Sequence, residues 1–276
     1  MKLLLVAFVA ILCFAITAPA QQIGGLQRVS NPGQERFFTF RKGKGTWMDR
    51  AGKSAQANGT RPMAGALLSP NALTWAGVTD GQLWIANAQG KNKSDLAKGY
   101  KVVGTPSWTP DGLGLAFAAG NDIHVVDVNT KDVRRLTKSL EPLTRPALDS
   151  SGSWLVYVLG DDVMLKHLVA HEERVLVRDA KNSVYAWNAA GDQLAWVDRD
   201  GLHFWNVYSQ EHVKRTSPVP LAELREITWT PSGGAVAMRR ARTIHLVDRK
   251  AEATIALPKD AEPGPLRWQL LPLFDG

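Results

Sequence analysis

Trp108-Thr109-Pro110-Asp111-Gly112 opens the clearest copy of a unit that recurs about every forty residues along this 276-residue chain. The same copy continues with Leu115-Ala116-Phe117, then Ile123-His124-Val125-Val126-Asp127, then Val133-Arg134-Arg135-Leu136-Thr137. These segments are short, alternating and rich in β-branched residues, which favours strands over helices. Four short strands in a repeat of about forty residues are typical of a β-propeller blade.

Weaker copies of this unit extend the pattern over most of the chain. Their turn positions lie 39 to 42 residues apart and comprise Ala72, Gly112, Gly152, Gly191 and Gly233. Five copies are complete, from about residue 61 to about residue 258. Segments 35–41 and 46–50 resemble the second and third strands of a further blade, and Leu266-Arg267-Trp268 falls where another first strand is due.

We therefore expect an all-β, six-bladed β-propeller, with five or seven blades as alternatives. The C-terminal strand should pair with the first blade and close the ring, because closure removes open sheet edges. The single propeller domain is predicted over residues 21–276, with complete repeats over about 61–258. The composite first blade would be built from 26–60 and 264–276.

The first twenty residues predict a secretory signal peptide. They comprise Lys2, an apolar run over 3–16 and the cleavage sequence Ala18-Pro19-Ala20. The apolar run is shorter than the roughly 20 residues that a membrane span needs. We expect an exported, periplasmic or secreted protein without a transmembrane segment after cleavage. The single cysteine, Cys13, lies inside this signal, so no disulfide or thiol chemistry is expected in the mature protein.

The chain carries a formal net charge of +7, from 33 basic and 26 acidic residues. A modest positive charge favours anionic partners without implying nucleic acid. We expect a monomer that binds a protein partner and no nucleic acid.

The segment Pro106 to Gly112, the strands that follow it up to Leu136-Thr137, and Trp229-Thr230-Pro231-Ser232-Gly233 together resemble the WD40-like repeat of TolB-type propellers. Similar repeats occur in the propeller domains of prolyl-oligopeptidase-type enzymes. The resemblance covers most of the mature chain and implies a six-bladed, non-catalytic, periplasmic platform for protein interactions. TolB-type proteins carry an α/β domain before the blades, which we expect this chain to lack. The repeat specifies turns and packing, so it carries over no functional residue.

No catalytic or metal-binding set stands out in the sequence. His124, His203 and His245 share one repeat position, two strands out from the axis, where equivalent side chains point the same way around the ring. We expect them to pack rather than to bind a metal, and we expect no cofactor. A Gly-x-Ser-x-Gly nucleophile motif is missing, which argues against an enzyme.

Most of the ten tryptophans are expected in the core. Four of them share the first-strand position that leucine occupies in two other blades: Trp108, Trp187, Trp229 and Trp268. A large apolar residue repeated at one position is what packing between blades requires. Trp47 and Trp205 follow no such rule and are predicted as candidates for the surface.

The turns between the second and third strands differ in charge from blade to blade. Those of blades two to five are acidic and contain Asp80, Asp122, Asp161, Asp162, Asp198 and Asp200. The first and last blades carry six cations there instead, Arg41, Lys42, Lys44, Arg239, Arg240 and Arg242. Because the first and last blades are neighbours in a closed ring, these cations should gather on one sector of one face. We predict that they bind an anionic partner, such as an acidic protein or an anionic envelope surface.

Two classes of function follow from these features. The leading prediction is a non-catalytic, exported TolB-like propeller that acts as a protein-interaction scaffold in the periplasm or cell envelope. The alternative is a channel-mouth enzyme or small-ligand binder with a divalent cation, of the lyase or lactonase type. Such a site needs polar ligands from several inner strands. The inner-strand residues Ser107, Ala147, Ala186 and Thr228 are small and offer few of them.

Overall fold

Antiparallel strands of two to seven residues make up almost all of the regular structure. The computed structural model describes residues 35–49, 54–57, 59–262 and 264–270. All of these belong to one compact unit, Asn31–Gly276. The predicted signal peptide, residues 1–20, and the start of the predicted composite blade lie outside the described residues.

The strands fall into six groups, here called blades 1 to 6 in chain order. Blade 1 contains β1 (Glu35–Arg41), β2 (Lys44–Asp49) and β3 (Ser54–Ala57). Blade 2 contains β4 (Leu67–Leu68), β5 (Thr74–Thr79), β6 (Gln82–Asn87) and β7 (Ser94–Asp95). Blade 3 contains β8 (Val102–Trp108), β9 (Gly114–Ala119), β10 (Asp122–Asp127) and β11 (Val133–Arg135).

Blades 4 to 6 repeat this order. Blade 4 contains β12 (Leu143–Leu148), β13 (Trp154–Leu159), β14 (Asp162–His167) and β15 (Glu172–Val177). Blade 5 contains β16 (Val184–Trp187), β17 (Gln193–Asp198), β18 (Gly201–Asn206) and β19 (His212–Arg215). Blade 6 contains β20 (Ile227–Trp229), β21 (Val236–Arg240), β22 (Thr243–Val247) and β23 (Glu252–Ala256), and a 3₁₀ turn, Leu221–Glu223, precedes it. The last two strands are β24 (Ala261–Glu262) and β25 (Trp268–Leu270).

The C-terminal strands complete blade 1 and close the ring, as predicted. β25 pairs antiparallel with β1, with Trp268 opposite Phe37, and β24 pairs with the far end of β1, with Glu262 opposite Phe40. The remaining five sheets each have four antiparallel strands in chain order. The described residues therefore form six antiparallel blades in a ring, the arrangement of a six-bladed β-propeller. The alternatives of five or seven blades are wrong.

The first strand of blades 2 to 6 is the innermost, and β25 takes the equivalent place in blade 1. The large apolar residue of this strand fills the gap to the preceding blade. Trp187 Nε1 donates to the Ala147 carbonyl oxygen at 3.1 Å, and Trp229 Nε1 donates to the Ala186 carbonyl oxygen at 2.9 Å. Trp108 Nε1 likewise donates to the carbonyl oxygen of Leu67 at 3.1 Å. The predicted packing role of the repeated tryptophan is thus confirmed, and the indole N–H adds a hydrogen bond between blades.

The turn after each first strand begins with a buried polar residue. The five residues at this repeat position are Ser69, Thr109, Asp149, Asn188 and Thr230, all at most 6% exposed. In blade 4, Asp149 Oδ1 accepts hydrogen bonds from the backbone N–H groups of Ser153 and Trp154 at 2.9 and 2.8 Å. A side chain that bonds the following backbone holds a tight turn in one conformation. This explains why the turn residues recur so regularly in the sequence.

Trp47 and Trp205 are core residues, so their prediction as surface candidates is wrong. Trp205 is 4% exposed and packs edge-on against Trp154, with ring centroids 5.6 Å apart. Trp47 is 5% exposed and packs edge-on against Phe38 at 5.3 Å. Both lie on third strands, where adjacent sheets still face each other closely enough to bury an indole. No helix in the part of the chain just described is long and apolar enough to cross a bilayer.

Candidate functional site

One face of the ring carries the six cations that the sequence analysis marked as a candidate binding site. Because successive strands are antiparallel, the second and the fourth strand of a blade end on the same side of the ring. The turns between second and third strands therefore lie beside the connections that lead to the next blade. We call this side the upper face and the opposite side the lower face.

The connection over 257–267, which leads from blade 6 back to blade 1, runs between the cationic turns of these two blades. Arg41 of blade 1 forms an ion pair with Asp260 of this closing connection, and its Nε lies 2.9 Å from Asp260 Oδ2. The hydrogen bond from Arg41 lowers the pKa of the Asp260 carboxyl, and Lys42 lowers it further. Blade 1 thus attaches to the connection through charged side chains as well as through strand pairing.

Two arginines of blade 6 hold the same connection from the other side. Arg239 donates to the carbonyl oxygen of Gly264, and Arg242 donates to the carbonyl oxygen of Pro258. Arg239 is half-buried, and its burial lowers the pKa of the guanidinium. The structure therefore brings Arg41, Arg239 and Arg242 together around one segment, where they contribute to closing the ring.

The other three predicted cations lie apart from this arrangement or project outward. Arg240 forms a two-point ion pair with Glu223, in the connection from blade 5 to blade 6, at 2.9 and 3.1 Å. Lys42 and Lys44 are exposed, and neither side chain makes a hydrogen bond or salt bridge within the described residues. Of the six cations, these two lysines are the ones that present charge to solvent without a hydrogen bond or salt bridge to any residue that the structure describes.

The acidic turns of blades 3 to 5 have structural uses that the sequence pattern did not reveal. Asp122 Oδ1 accepts the backbone N–H of Ser139 at 2.8 Å, and Asp162 Oδ1 accepts that of Asp179 at 2.9 Å. Asp198 is 6% exposed and accepts two backbone N–H groups of its own turn. Since these carboxylates hold turns and connections in place, their charge is less available to a partner than their positions suggested.

The histidine of blade 5 belongs to a hydrogen-bonded row that was not predicted from the sequence. Asp198 Oδ1 lies 3.2 Å from His203 Nε2, and His203 Nδ1 lies 2.9 Å from His212 Nε2. Both imidazoles stack on Trp196, with interplanar angles of 4° and 14°. Burial lowers the pKa of His203; nearby Asp198 raises it, while His212 and Lys214 lower it further.

The other two histidines at this repeat position contact side chains of their own blades. His124 is 6% exposed and stacks on Phe117 with ring centroids 5.4 Å apart. His245 Nδ1 lies 2.9 Å from Glu252 Oε1 in the same blade. Among the residues that the structure describes, no group of three or more His, Cys, Asp and Glu side chains is placed to hold a metal ion.

Arg267 links three blades at the centre of the ring, and it was not singled out from the sequence. Its Nη1 pairs at 3.0 Å with Oε2 of Glu226, the residue that precedes β20 of blade 6. Its Nε donates to the Leu68 carbonyl oxygen of blade 2 at 2.8 Å. Glu226 Oε1 also accepts the backbone N–H of Leu266 at 2.7 Å. An arginine flanked by apolar residues in an inner strand is the only signal that could have suggested this role.

A cleft of about 420 Å³ opens on the upper face where the inner strands of blades 4 to 6 begin. Its lining comprises Thr144, Arg145, Val158, Gly160, Lys181, Asn182, Val184, Leu224 and Arg225. Every charged residue in this lining is a cation, so the cleft repels a divalent cation and attracts an anion. The divalent-cation site of the alternative prediction therefore gains no support from this cleft.

Comparison with known proteins identifies the fold but shows no closer relationship. No protein-family model matches the chain, and no curated protein sequence matches it either. The crystal structure of TolB from Acinetobacter baumannii is similar, with a TM-score of 0.50 and 13% identity over 77% of this chain. The match spans 64% of the length of that TolB. Dipeptidyl peptidase 4 from Porphyromonas gingivalis matches at a TM-score of 0.45 and 13% identity, over 71% of this chain and 40% of the peptidase. The ring of six blades and the match to TolB together show that the chain has a TolB-like β-propeller fold.

Proposed function

We propose that this protein is a non-catalytic, exported propeller that binds a protein partner in the periplasm or cell envelope through its upper face. The TolB-like fold supports an interaction role, and the predicted signal peptide supports export. The observation that carries the proposal is the cationic sector around the closing connection, where Lys42 and Lys44 are exposed at the turn between β1 and β2. A partner with an acidic surface would dock on this sector.

The contacts of the six cations decide how the proposal is tested. Charge reversal at Arg239 or Arg242 would remove hydrogen bonds to the closing connection, so lost binding could reflect a damaged ring. Reversal at Lys42 and Lys44 removes no such contact. The informative variant is therefore Lys42→Glu/Lys44→Glu.

A matched control exists on the lower face. Lys131 and Lys250 are exposed residues in turns between third and fourth strands, and Lys131 has φ of +66°, close to the +50° of Lys42. Lys131→Glu/Lys250→Glu makes the same change in net charge at the opposite side of the ring. Differences between the two double variants therefore report on position rather than on total charge.

The experiment is affinity capture from envelope extracts with the mature wild type and both double variants, followed by purification of any protein that binds. We expect a partner whose affinity for Lys42→Glu/Lys44→Glu is about tenfold lower than for the wild type, with a strong dependence on salt. The lower-face control should bind like the wild type. A partner that binds all three proteins equally, or binding that salt leaves unchanged, would contradict the proposed docking sector.

A further inference from the structure

The cleft at the start of the inner strands of blades 4 to 6 is lined by three cations, and hydrogen bonds hold part of its lining in place. Arg145, Lys181 and Arg225 come from three separate segments: an inner strand and two connections between blades. Lys181 pairs with Asp161 at 2.7 Å, but both side chains are about 60% exposed, so the pair is weak and open to exchange. The remaining wall is formed by polar and aliphatic residues without negative charge.

Arg145 holds the wall in place rather than pointing freely into the cleft. It has φ of +51° at a β-bulge between β12 and β13, a left-handed conformation that costs energy for any residue but glycine. Its guanidinium donates to the carbonyl oxygens of Lys181 and Ser183, and the Tyr185 hydroxyl donates to the Arg145 carbonyl oxygen. This network fixes the connection that carries Lys181, so the site is organised before any ligand arrives.

Two donors around the cleft have no partner within the described part of the chain. Arg225 is exposed and makes no hydrogen bond or ion pair there. Ser183 is fully buried, yet its hydroxyl has no hydrogen-bond partner, although most buried polar groups have one. Ser183 lines an adjoining cleft of about 250 Å³ that shares Lys181 and Asn182 with the first but also contains Asp161 and Asp179, so its hydroxyl is not part of the cationic lining. The donors of Arg225, next to Lys181 in a lining without negative charge, are what an oxyanion site requires.

We propose that this cleft binds a small organic anion through its carboxylate or phosphate groups, with Arg225 and Lys181 as the ligand-binding cations. Arg145 is a positioning residue that holds the Lys181 connection. The volume lies within the range of small-molecule sites, about 300 to 1,000 Å³, and suits a dicarboxylate or a phosphate monoester. The inference is independent of the docking sector, because Lys42 and Lys44 belong to blade 1 and do not line the cleft.

The test is calorimetric titration of the mature protein with inorganic phosphate and, separately, with succinate, at constant ionic strength. We expect saturable binding of at least one probe, weakened about tenfold or more by Arg225→Gln. Lys181→Gln should weaken it as well. Arg134→Gln is the control, because Arg134 is an exposed cation on β11 of blade 3, away from the cleft.

The affinities of the two probes identify the class of ligand: tighter binding of inorganic phosphate indicates a phosphate site, and tighter binding of succinate indicates a carboxylate site. Melting temperatures of the variants, equal to that of the wild type, establish that each still folds. Absence of saturable binding by both probes, or equal affinity in the wild type and Arg225→Gln, would overturn the proposal. So would a loss of binding in Arg134→Gln as large as that in Arg225→Gln.

Discussion

Substitution of Trp229 by phenylalanine tests whether the indole hydrogen bond between blades stabilises the ring. Trp229 and Trp268 occupy the same repeat position with nearly equal exposure, 6% and 8%. Each packs against one phenylalanine, with ring centroids 5.7 Å apart for Phe204 and 5.8 Å for Phe37. They differ in hydrogen bonding: Trp229 Nε1 donates to a carbonyl oxygen at 2.9 Å, while Trp268 Nε1 is buried and has no hydrogen-bond partner among the residues that the structure describes.

The two substitutions remove the same side-chain volume, so the difference between them isolates the hydrogen bond. Trp229→Phe leaves the Ala186 carbonyl oxygen without its donor, which costs about 1–3 kcal/mol. Trp268→Phe loses no hydrogen bond and removes an unsatisfied donor. We therefore expect Trp229→Phe to lower the free energy of unfolding by about 2 kcal/mol more than Trp268→Phe.

The measurement is thermal unfolding of the mature protein, followed by circular dichroism at matched concentration. For a chain of this size, about 2 kcal/mol corresponds to a difference in Tm of about 4 to 8 °C. Trp187→Phe is a second test, because its indole donates to Ala147 in the same way. Equal decreases in Tm for all three variants, or the largest decrease for Trp268→Phe, would refute a stabilising role for these hydrogen bonds.

Two further predictions concern pH and the centre of the ring. Burial lowers the pKa of His203 and of His124 in the folded protein. Below about pH 6.5 these histidines are therefore protonated in the unfolded chain but remain neutral in the folded protein. The free energy of unfolding should therefore fall as pH decreases through 6.5, and His203→Gln should flatten this dependence, as measured by urea unfolding from pH 8 to pH 5. Arg267→Met should lower the free energy of unfolding by about 1–3 kcal/mol, because it removes the donors to Glu226 Oε2 and to the Leu68 carbonyl oxygen, while Glu226 Oε1 keeps the backbone N–H of Leu266. In a double-mutant cycle with Glu226→Gln, purely additive effects would show that Arg267 and Glu226 are not coupled.

Features that repeat along the chain could be predicted because each depends on residues close in sequence. The turn after each first strand is held by a side chain that bonds the backbone four or five residues later, as Asp149 does with Ser153 and Trp154. The residue types that can do this are few, so the position is visible without a structure. The repeated tryptophan could also be recognised in the sequence, but its hydrogen bond to the previous blade could not. The acceptor is a backbone carbonyl oxygen about forty residues away, and every residue type has one.

The candidate site was harder to predict because its members come from distant parts of the chain. The six cations were found from the sequence as a charge pattern, yet such a pattern does not show which side chains form hydrogen bonds within the protein. Arg239 and Arg242 donate to backbone carbonyl oxygens of the closing connection, whereas Lys42 and Lys44 remain exposed. The three cations of the cleft lie in blade 4 and in the connections to blades 5 and 6, and no local motif links them.

The sequence by itself determined the blade: its length, its four strands, its turn chemistry and the large residue that faces its neighbour. These properties act within about forty residues, where local propensity and hydrophobic alternation are sufficient. Only the tertiary structure decided which charges are bound, which are free and where a cleft remains, because closing the ring brings side chains from opposite ends of the described chain, such as Phe37 and Trp268, into contact. The proposed sites depend on those long-range contacts, whose partners are set by how six similar sheets are arranged around one axis.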